Sequence, residues 1–294
     1  MLVTTALLVT TALHIPLHNR REFAVGASAA AAAVCLPAIA VDASLTDVQG
    51  RFIVDPTKAA NGLADPLVEP EGAYSSISAA LAVAPAGATI VVRPGGYNER
   101  VRIVRPVTLL ADAGAVLTWK TDKPYEAALT VDLSEASAAA RVVVAGLSVR
   151  HTSPSIAQNY AVYVPLPSSA ADSASTIELR ECDVSSASGS GVGVEGGAVS
   201  LTRCRIHDCK NHGVLFLGSR ARGAVNGCAL EKNKLNGLLL RDGASPTVEG
   251  NSLVGNGQYG AALIDCRGAY QPSNRASANG KGAVNGECDE PEVD

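Results

Sequence analysis

Short apolar runs separated by turn residues repeat along the second half of this chain. Within a unit, apolar residues recur two positions apart, which is the alternation of a half-buried strand. Glycines stand before an apolar run of each unit at positions 191, 213, 237 and 260, so the units are 22, 24 and 23 residues long. One unit contains three such pairs, and the pattern therefore predicts three short strands per repeat: Val199 and Leu201, Cys204 and Ile206, and Val214 and Phe216.

The same steps recur at other positions, and this predicts stacked coils. One column contains Leu179, Leu201, Val225 and Val248. Stacked parallel strands lie about 4.8 Å apart, so equivalent residues form rows inside the coil. Leucine-rich repeats have a similar period, but they require leucine at fixed positions where this chain has Glu181, Arg203 and Gly227. The sequence therefore predicts an all-β fold, a single-stranded right-handed parallel β-helix of 22–24 residues per coil.

Two columns predict internal ladders of small or amide side chains. The first contains Cys182, Cys204, Cys228 and Asn251. We expect a stack of buried thiols, because Asn251 takes the same position without a cysteine partner. A disulfide from Cys204 to either neighbouring cysteine is the alternative. In the second column, Asn233 and Asn256 are expected to satisfy backbone groups of the turns.

Regions outside the regular repeats complete the predicted domain organisation. Apolar residues at helical spacing between Ser75 and Pro85 predict a helix that covers the first coil. We expect the β-helix over residues 74–268, a linker over 41–73, and a flexible acidic tail over 269–294 that is rich in Gly, Ser and Asn at its start.

The first 40 residues are typical of a cleaved targeting segment. Arg20 and Arg21 precede an Ala-rich apolar run that ends at Ala38 and Ala40, an order that resembles a twin-arginine signal peptide. The apolar run is shorter than the ~20 residues of a membrane span, so we expect no stable span after cleavage. The Thr-rich residues ahead of the arginines favour the thylakoid lumen of a plastid, with a bacterial periplasm as the alternative.

Charge limits the classes of partner. The chain has a formal net charge of −4 and no cluster of Lys or Arg. Binding to nucleic acid is therefore not expected, because phosphates are held by basic patches.

Resemblances to two families support the predicted fold but imply no catalytic activity. Tyr74 to Leu117, with Gly95, Tyr97 and Glu99 in a G-x-Y-x-E pattern, resembles the opening of pectinesterases and other pectin-lyase-like proteins. The aspartate motifs of pectinesterase catalysis are not found in this sequence. Cys182 to Leu263 is similar to right-handed β-helix repeats of the NosD kind and of F-box proteins, which mark a scaffold with many uses.

Candidate chemistry concentrates in one turn. The sequence offers no complete catalytic set, and the only candidates are His207, Asp208, Lys210 and His212. Neither a metal nor another cofactor is expected, since two histidines around a turn are weak evidence for a site. Charged residues one coil apart, Glu181 with Arg203 and Asp183 with Arg205, are expected to form salt bridges.

The functional hypothesis follows from a regular scaffold without a catalytic motif. We expect a non-catalytic exported β-helix that binds a protein partner or a polysaccharide along its side. The alternative is a carbohydrate-active enzyme, a polysaccharide lyase or uronate epimerase, that acts on a polymer in a groove of the β-helix.

Overall fold

The computed structural model describes residues 51–58, 73–134, 139–154, 158–166 and 175–289. These residues form one helix, α1 (Ile77–Val83), and strands that belong to three sheets, in which all neighbouring strands are parallel. Each coil contributes one strand to each sheet in turn. The chain is therefore an all-β, right-handed parallel β-helix, as the repeat predicted.

The first sheet has ten strands, in the order β2-β1-β3-β6-β9-β12-β15-β18-β21-β24. Their bounds, in that order, are Ala73–Tyr74, Arg51–Val54, Ala88–Val92, Val107–Ala111, Arg141–Ala145, Thr176–Arg180, Gly197–Thr202, Ala221–Asn226, Ser245–Glu249 and Ala269–Tyr270. In this sheet Leu179 pairs with Leu201, and Leu201 with Val225. The predicted column is therefore correct in register.

The other two sheets have eight strands each. The second sheet follows the order β25-β22-β19-β16-β13-β10-β7-β4, with bounds Arg275–Ser277, Ser252–Val254, Ala229–Glu231, Arg205–His207, Asp183–Ser186, Ser148–Thr152, Ala115–Lys120 and Gly95–Asn98. The third follows β26-β23-β20-β17-β14-β11-β8-β5, with bounds Gly282–Asn285, Tyr259–Ile264, Leu238–Arg241, Val214–Leu217, Ser190–Val194, Tyr160–Val164, Leu129–Val131 and Val101–Ile103.

The core lies between the three sheets and consists of small apolar residues. Alternate positions of each strand point inward, so Val192, Val214 and Leu238 stack in one row with no exposed surface. Burial of such rows along every coil supplies the main stabilisation of a solenoid.

The turn from the first sheet to the second has one recurring backbone conformation. Glu181, Arg203, Gly227 and Gly250 each precede the ladder residue of their coil and have φ between 51° and 64°. Side chains other than glycine are strained there. Each coil needs a left-handed bend at this point, which explains why Gly occupies two of the four positions.

The thiol and amide columns lie inside the coil. Cys182, Cys204 and Cys228 are buried and free, and their sulfurs lie 3.5, 3.3 and 3.5 Å from the backbone oxygens of Val144, Leu179 and Leu201. The Asn251 side chain accepts from the N–H of Cys228 and donates to the carbonyl of Val225. Both groups of that amide are therefore satisfied.

The second amide column follows the same rule one turn later. The Asn256 oxygen accepts from the backbone N–H of Asn233, while its nitrogen donates to the carbonyl of Leu230. Asn274 and Asn279 extend the two columns by one coil beyond the residues proposed from sequence.

The helix at the N-terminal end begins where the sequence predicted it. Ser76 is its N-cap and accepts a hydrogen bond from the N–H of Ala79. Glu99 accepts two more, from the N–H groups of Ile77 and Ser78 at 2.7 and 2.9 Å. The Tyr97 hydroxyl donates to the carbonyl of Arg93 at 2.8 Å. The Tyr and Glu of the G-x-Y-x-E pattern thus fix the first coil and its helical lid.

The predicted linker is wrong over part of its length. Arg51–Val54 forms strand β1 and pairs with β3 of the first sheet, so the β-helix begins before residue 74. The apolar run of Phe52, Ile53 and Val54 explains this pairing, because it places Val54 in the core. Residues 59–72 lie outside the described residues.

The predicted flexible tail is also wrong as far as residue 289. Residues 269–285 add strands β24, β25 and β26, which form one more coil. Their polar composition is compatible with a coil because Asn274 and Asn279 continue the ladders. A disulfide between Cys266 and Cys288, 22 residues apart, joins this coil to the preceding one and was not predicted. Residues 290–294 lie outside the described part of the chain.

The predicted targeting segment falls outside the part of the chain that the structure describes. Residues 1–50, which include Arg20, Arg21, Ala38 and Ala40, lie outside the described residues. No helix among the described residues is long and apolar enough to cross a membrane.

Candidate functional site

His207 ends strand β16 on the outer face of the second sheet and lies between two carboxylates. Its Nδ1 is 2.6 Å from the Asp208 carboxylate, and its Nε2 is 3.2 Å from that of Asp183. The hydrogen bond to Asp183 raises the pKa of His207 above its usual value, burial opposes this, and Asp208 adds to the rise. The imidazole is therefore held in place and favoured in its charged form.

Asp183 is the centre of this group. Besides His207, its carboxylate contacts Arg150 on the preceding coil and Arg205 on the next, the latter at 3.4 Å. Burial acts to raise the pKa of Asp183, but the bonds from His207 and the charge of Arg150 outweigh it and hold the pKa at about 2. The carboxylate is thus fully engaged with cations.

The same contacts form a row of alternating charge across four coils of the second sheet. Arg205 also lies 3.3 Å from Glu231 on the following coil. The salt bridge from Asp183 to Arg205 and that from Glu181 to Arg203 are the two that the repeat predicted, and both are confirmed. Partly exposed pairs of this kind are typically worth about 0.2–1 kcal/mol, and they fix register as much as stability.

The other two predicted residues of this turn, Lys210 and His212, are not part of the group around His207. Nδ1 of His212 lies 3.4 Å from the backbone N–H of Asn236, and burial lowers the pKa of His212 to about 4. Its ring is therefore neutral near pH 7 and acts as an acceptor for the next coil. Lys210 is exposed. In the described part of the chain, no three His, Cys, Asp or Glu side chains are grouped closely enough to hold a metal ion.

A second cluster lies on the outer face of the third sheet. Tyr160 and Tyr163 of strand β11 stack with ring centroids 5.3 Å apart. Their hydroxyls donate to the two oxygens of the Glu195 carboxylate at 3.2 and 2.7 Å. The Gln158 amide donates to the same carboxylate at 3.2 Å. We call these four residues the tyrosine cluster.

Gly193 makes room for this cluster. It pairs with Tyr163 on the neighbouring strand, and a Cβ atom added to it would lie 2.4 Å from the ring of Tyr160. The ring of Tyr160 therefore lies directly over the backbone of the next coil. Tyr160 is 6 % exposed, and Tyr163 stacks against it.

The tyrosine cluster borders a small cleft and an apolar strip. The cleft is shallow and open to solvent, it lies at the corner between the third and first sheets, and its lining includes Val164 and Gly196, which follow Tyr163 and Glu195. Beyond Gly193 the outward column continues with Leu215, Leu239 and Ala262. The matching column of the first sheet is more polar, with Glu178, Ser200, Ala224 and Thr247. Leu239 and Ala262 are 8 % and 2 % exposed, so the part of this column that a ligand can reach is the end with Tyr163 and Leu215.

A known family matches the half of the chain in which these sites lie. The family described as the right handed beta helix region matches residues 146–294. This chain belongs to the right-handed β-helix family. No curated protein matches it.

Solved structures with a similar fold include proteins active on pectin. A pectin methylesterase in complex with a hexasaccharide is 16 % identical, with a TM-score of 0.41 over 79 % of this chain and 70 % of that one. A pectin methylesterase from Erwinia chrysanthemi is 17 % identical, with a TM-score of 0.34 over 79 % and 69 %. A pectate lyase is 14 % identical, with a TM-score of 0.42 over 83 % and 78 %. Likenesses at such identities concern the fold alone.

The tyrosine cluster was not predicted from the sequence, although the sequence contains one signal for it. The chain contains only 7 Tyr, 3 Phe and 1 Trp, so two tyrosines three residues apart in a predicted strand are unusual. Placing them opposite Glu195 requires the register across the insertion that begins at Pro165, and that segment interrupts the regular period.

Proposed function

We propose that this right-handed β-helix protein binds a carbohydrate chain on the outer face of its third sheet and does not convert it. The observation that carries the proposal is the stacked tyrosine pair sharing one carboxylate beside a cleft. Aromatic rings offer large flat apolar surfaces with a polar edge, and a few fixed polar groups provide orientation. These are the features that match a sugar ring, which has an apolar face and a rim of hydroxyls.

The state of the nearest carboxylates favours binding over hydrolysis. Hydrolysis of a glycoside ordinarily requires two carboxyl groups that flank the bond. Asp132, which interacts electrostatically with Tyr163, forms a salt bridge with Arg102 at 2.7 Å and accepts a hydrogen bond from Ser134. Glu195 accepts its bonds from neutral donors. One carboxylate paired with a cation and one bound by neutral donors favour recognition of a ligand over hydrolysis.

Calorimetric titration of the full chain with a panel of soluble oligosaccharides tests this proposal. We expect Tyr163→Ala to weaken binding of a ligand found in the panel about tenfold or more, since truncation of an aromatic anchor typically has an effect of this size. Tyr125→Ala is the matched control, because Tyr125 is an exposed tyrosine outside the tyrosine cluster. Unchanged affinity of Tyr163→Ala, or release of products from the bound sugar, would contradict the proposal.

The alternative of a lyase or epimerase rests on His207, whose imidazole lies between Asp183 and Asp208. A histidine so placed could transfer a proton. Incubation of a uronate polymer with the wild type and with His207→Gln distinguishes the two functions. Our proposal expects no turnover with either protein, whereas turnover that His207→Gln abolishes would favour the enzyme.

We also propose export of the protein to the thylakoid lumen or, as the alternative, to a bacterial periplasm. Arg20 and Arg21 ahead of the Ala-rich run support this, and so does the disulfide between Cys266 and Cys288, since disulfides persist in oxidising compartments. Fusion of residues 1–40 to a reporter tests it. Replacement of both arginines by lysine should block export, and unaffected export would exclude the twin-arginine route.

A further inference from the structure

The charge of Glu195 permits a finer assignment of the ligand. The carboxylate accepts hydrogen bonds from Tyr160, Tyr163 and Gln158, all of which are neutral groups. Across the described residues, the salt bridges of the protein do not include Glu195. Among the described residues, its carboxylate is therefore oriented by hydrogen bonds and paired with no cationic side chain.

The geometry of these bonds leaves room for one more donor. A carboxylate offers about four acceptor positions. One oxygen of Glu195 accepts from Tyr163 and Gln158, whereas the other accepts from Tyr160 alone. The second oxygen can therefore accept a hydrogen bond from a bound ligand.

The neighbouring groups favour a positive charge at that point. Burial and the bond to Glu195 raise the pKa of Tyr163, so its hydroxyl stays a neutral donor and its ring keeps a negative face. Asp132 lies close enough to Tyr163 to add to the same effect. A ring face beside a carboxylate is an arrangement that binds ammonium groups.

We infer that the group recognised by the tyrosine cluster is a protonated amine carried by an amino sugar. This inference rests on the proposed carbohydrate binding and specifies its substrate class. An unneutralised carboxylate attracts an ammonium group, and it repels the carboxylates of a uronate polymer. The preferred ligand thus differs from the pectin on which the structurally similar enzymes act.

Titration of the full chain with three oligosaccharides of equal length tests the inference. The ligands are a glucosamine oligomer, its N-acetylated counterpart and a galacturonate oligomer, at a pH where the free amine is protonated. We expect the amine ligand to bind about tenfold more tightly than the N-acetylated one, as for a hydrogen bond between charged groups. The galacturonate should bind most weakly, and added salt should reduce the preference.

Variants of the acids identify the group responsible. Glu195→Gln keeps the shape of the side chain and should bring the ratio of the two affinities close to one. Glu249→Gln removes one exposed carboxylate from the first sheet and should leave the ratio unchanged. Tyr163→Phe removes one donor but keeps the carboxylate and the ring, so the preference should remain even if overall affinity falls.

The outcomes separate the two proposals. Equal affinity for the amine and its N-acetylated form, or an unchanged ratio in Glu195→Gln, would overturn the amine inference while carbohydrate binding stands. Failure of every ligand to bind the wild type would overturn the proposed function, and the inference with it. A preference that depends on Glu195 would support both.

Discussion

Tyr163 and Glu195 come from neighbouring coils, and the tyrosine hydroxyl donates to the carboxylate at 2.7 Å. The two residues are 32 positions apart in the sequence, because an insertion separates strands β11 and β12. A contact between two long side chains on the outer face does not contribute to the core. It is placed where a ligand could reach it, and ligand binding is the function that we propose.

Substitution of Gly193 tests how the tyrosine cluster is built. In Gly193→Ala the new Cβ would lie 2.4 Å from the Tyr160 ring, so the ring must move and the shared contact with Glu195 is lost. We expect a loss of about 1–3 kcal/mol in the free energy of unfolding and weaker carbohydrate binding. Urea denaturation and calorimetric titration measure the two effects.

Gly96→Ala is the matched control, since a Cβ at Gly96 meets no atom within 4 Å. It should change neither stability nor binding appreciably. If Gly193→Ala also left stability and binding unchanged, Tyr160 would not pack closely against Gly193.

Removal of the Glu99 carboxylate should loosen the helical lid. Glu99 accepts hydrogen bonds from the N–H groups of Ile77 and Ser78, which have no partner within the helix. We expect Glu99→Ala to lower the free energy of unfolding by about 1–2 kcal/mol, and Glu99→Gln by less because one acceptor remains. Hydrogen exchange should show faster opening of α1 in both variants, and unchanged exchange there would refute this role.

His212 should make the protein less stable in mild acid. Burial lowers its pKa to about 4, below the value of about 6.5 expected in the unfolded chain. Protons therefore favour the unfolded state as the pH falls from about 6.5 towards 4, and at pH 5 the loss is about 1–2 kcal/mol. Urea denaturation of the wild type and of His212→Gln at pH 7 and pH 5 should show a smaller decrease in the variant.

His207 provides a comparison of opposite sign. The pKa of His207 is raised, so its contribution to stability is present below about pH 6.5 and is lost as the pH rises through the raised value. His207→Gln should thus lose more stability relative to the wild type at pH 5 than at pH 8. A larger loss at pH 8 would mean that the contacts with Asp183 and Asp208 do not hold the charged form.

Replacement of Lys232 by glycine should stabilise the protein. It has φ of 54°, where a side chain is unfavourable, and it is exposed. The next coil has Gly255 in the same position with φ of 70°. We expect Lys232→Gly to raise the free energy of unfolding by about 1 kcal/mol, measured by thermal and urea denaturation. Lys234→Gly, also at an exposed position, should be neutral or destabilising, and equal gains in both variants would argue against strain.

The sequence predicted the coil because the coil is a periodic object. Columns such as Leu179, Leu201 and Val225 repeat at the spacing of one turn, and inward burial imposes this spacing on every strand. The helical lid was predictable for a similar reason, since capping and apolar spacing are local properties of Ser76 and the residues that follow it. The last coil was not, because its polar composition concealed the ladder positions of Asn274 and Asn279.

The sequence by itself thus determined the architecture, the register of the regular coils and the salt bridges between residues one coil apart. Only the tertiary structure decided which outward side chains meet where residues are not one regular coil apart, because the period gives no information on those contacts. In the folded chain His207 contacts Asp183, whereas His212 of the same turn contacts the backbone of Asn236. Tyr160 and Tyr163 likewise contact Glu195, although the insertion between them hides from the sequence which residues are aligned on neighbouring coils.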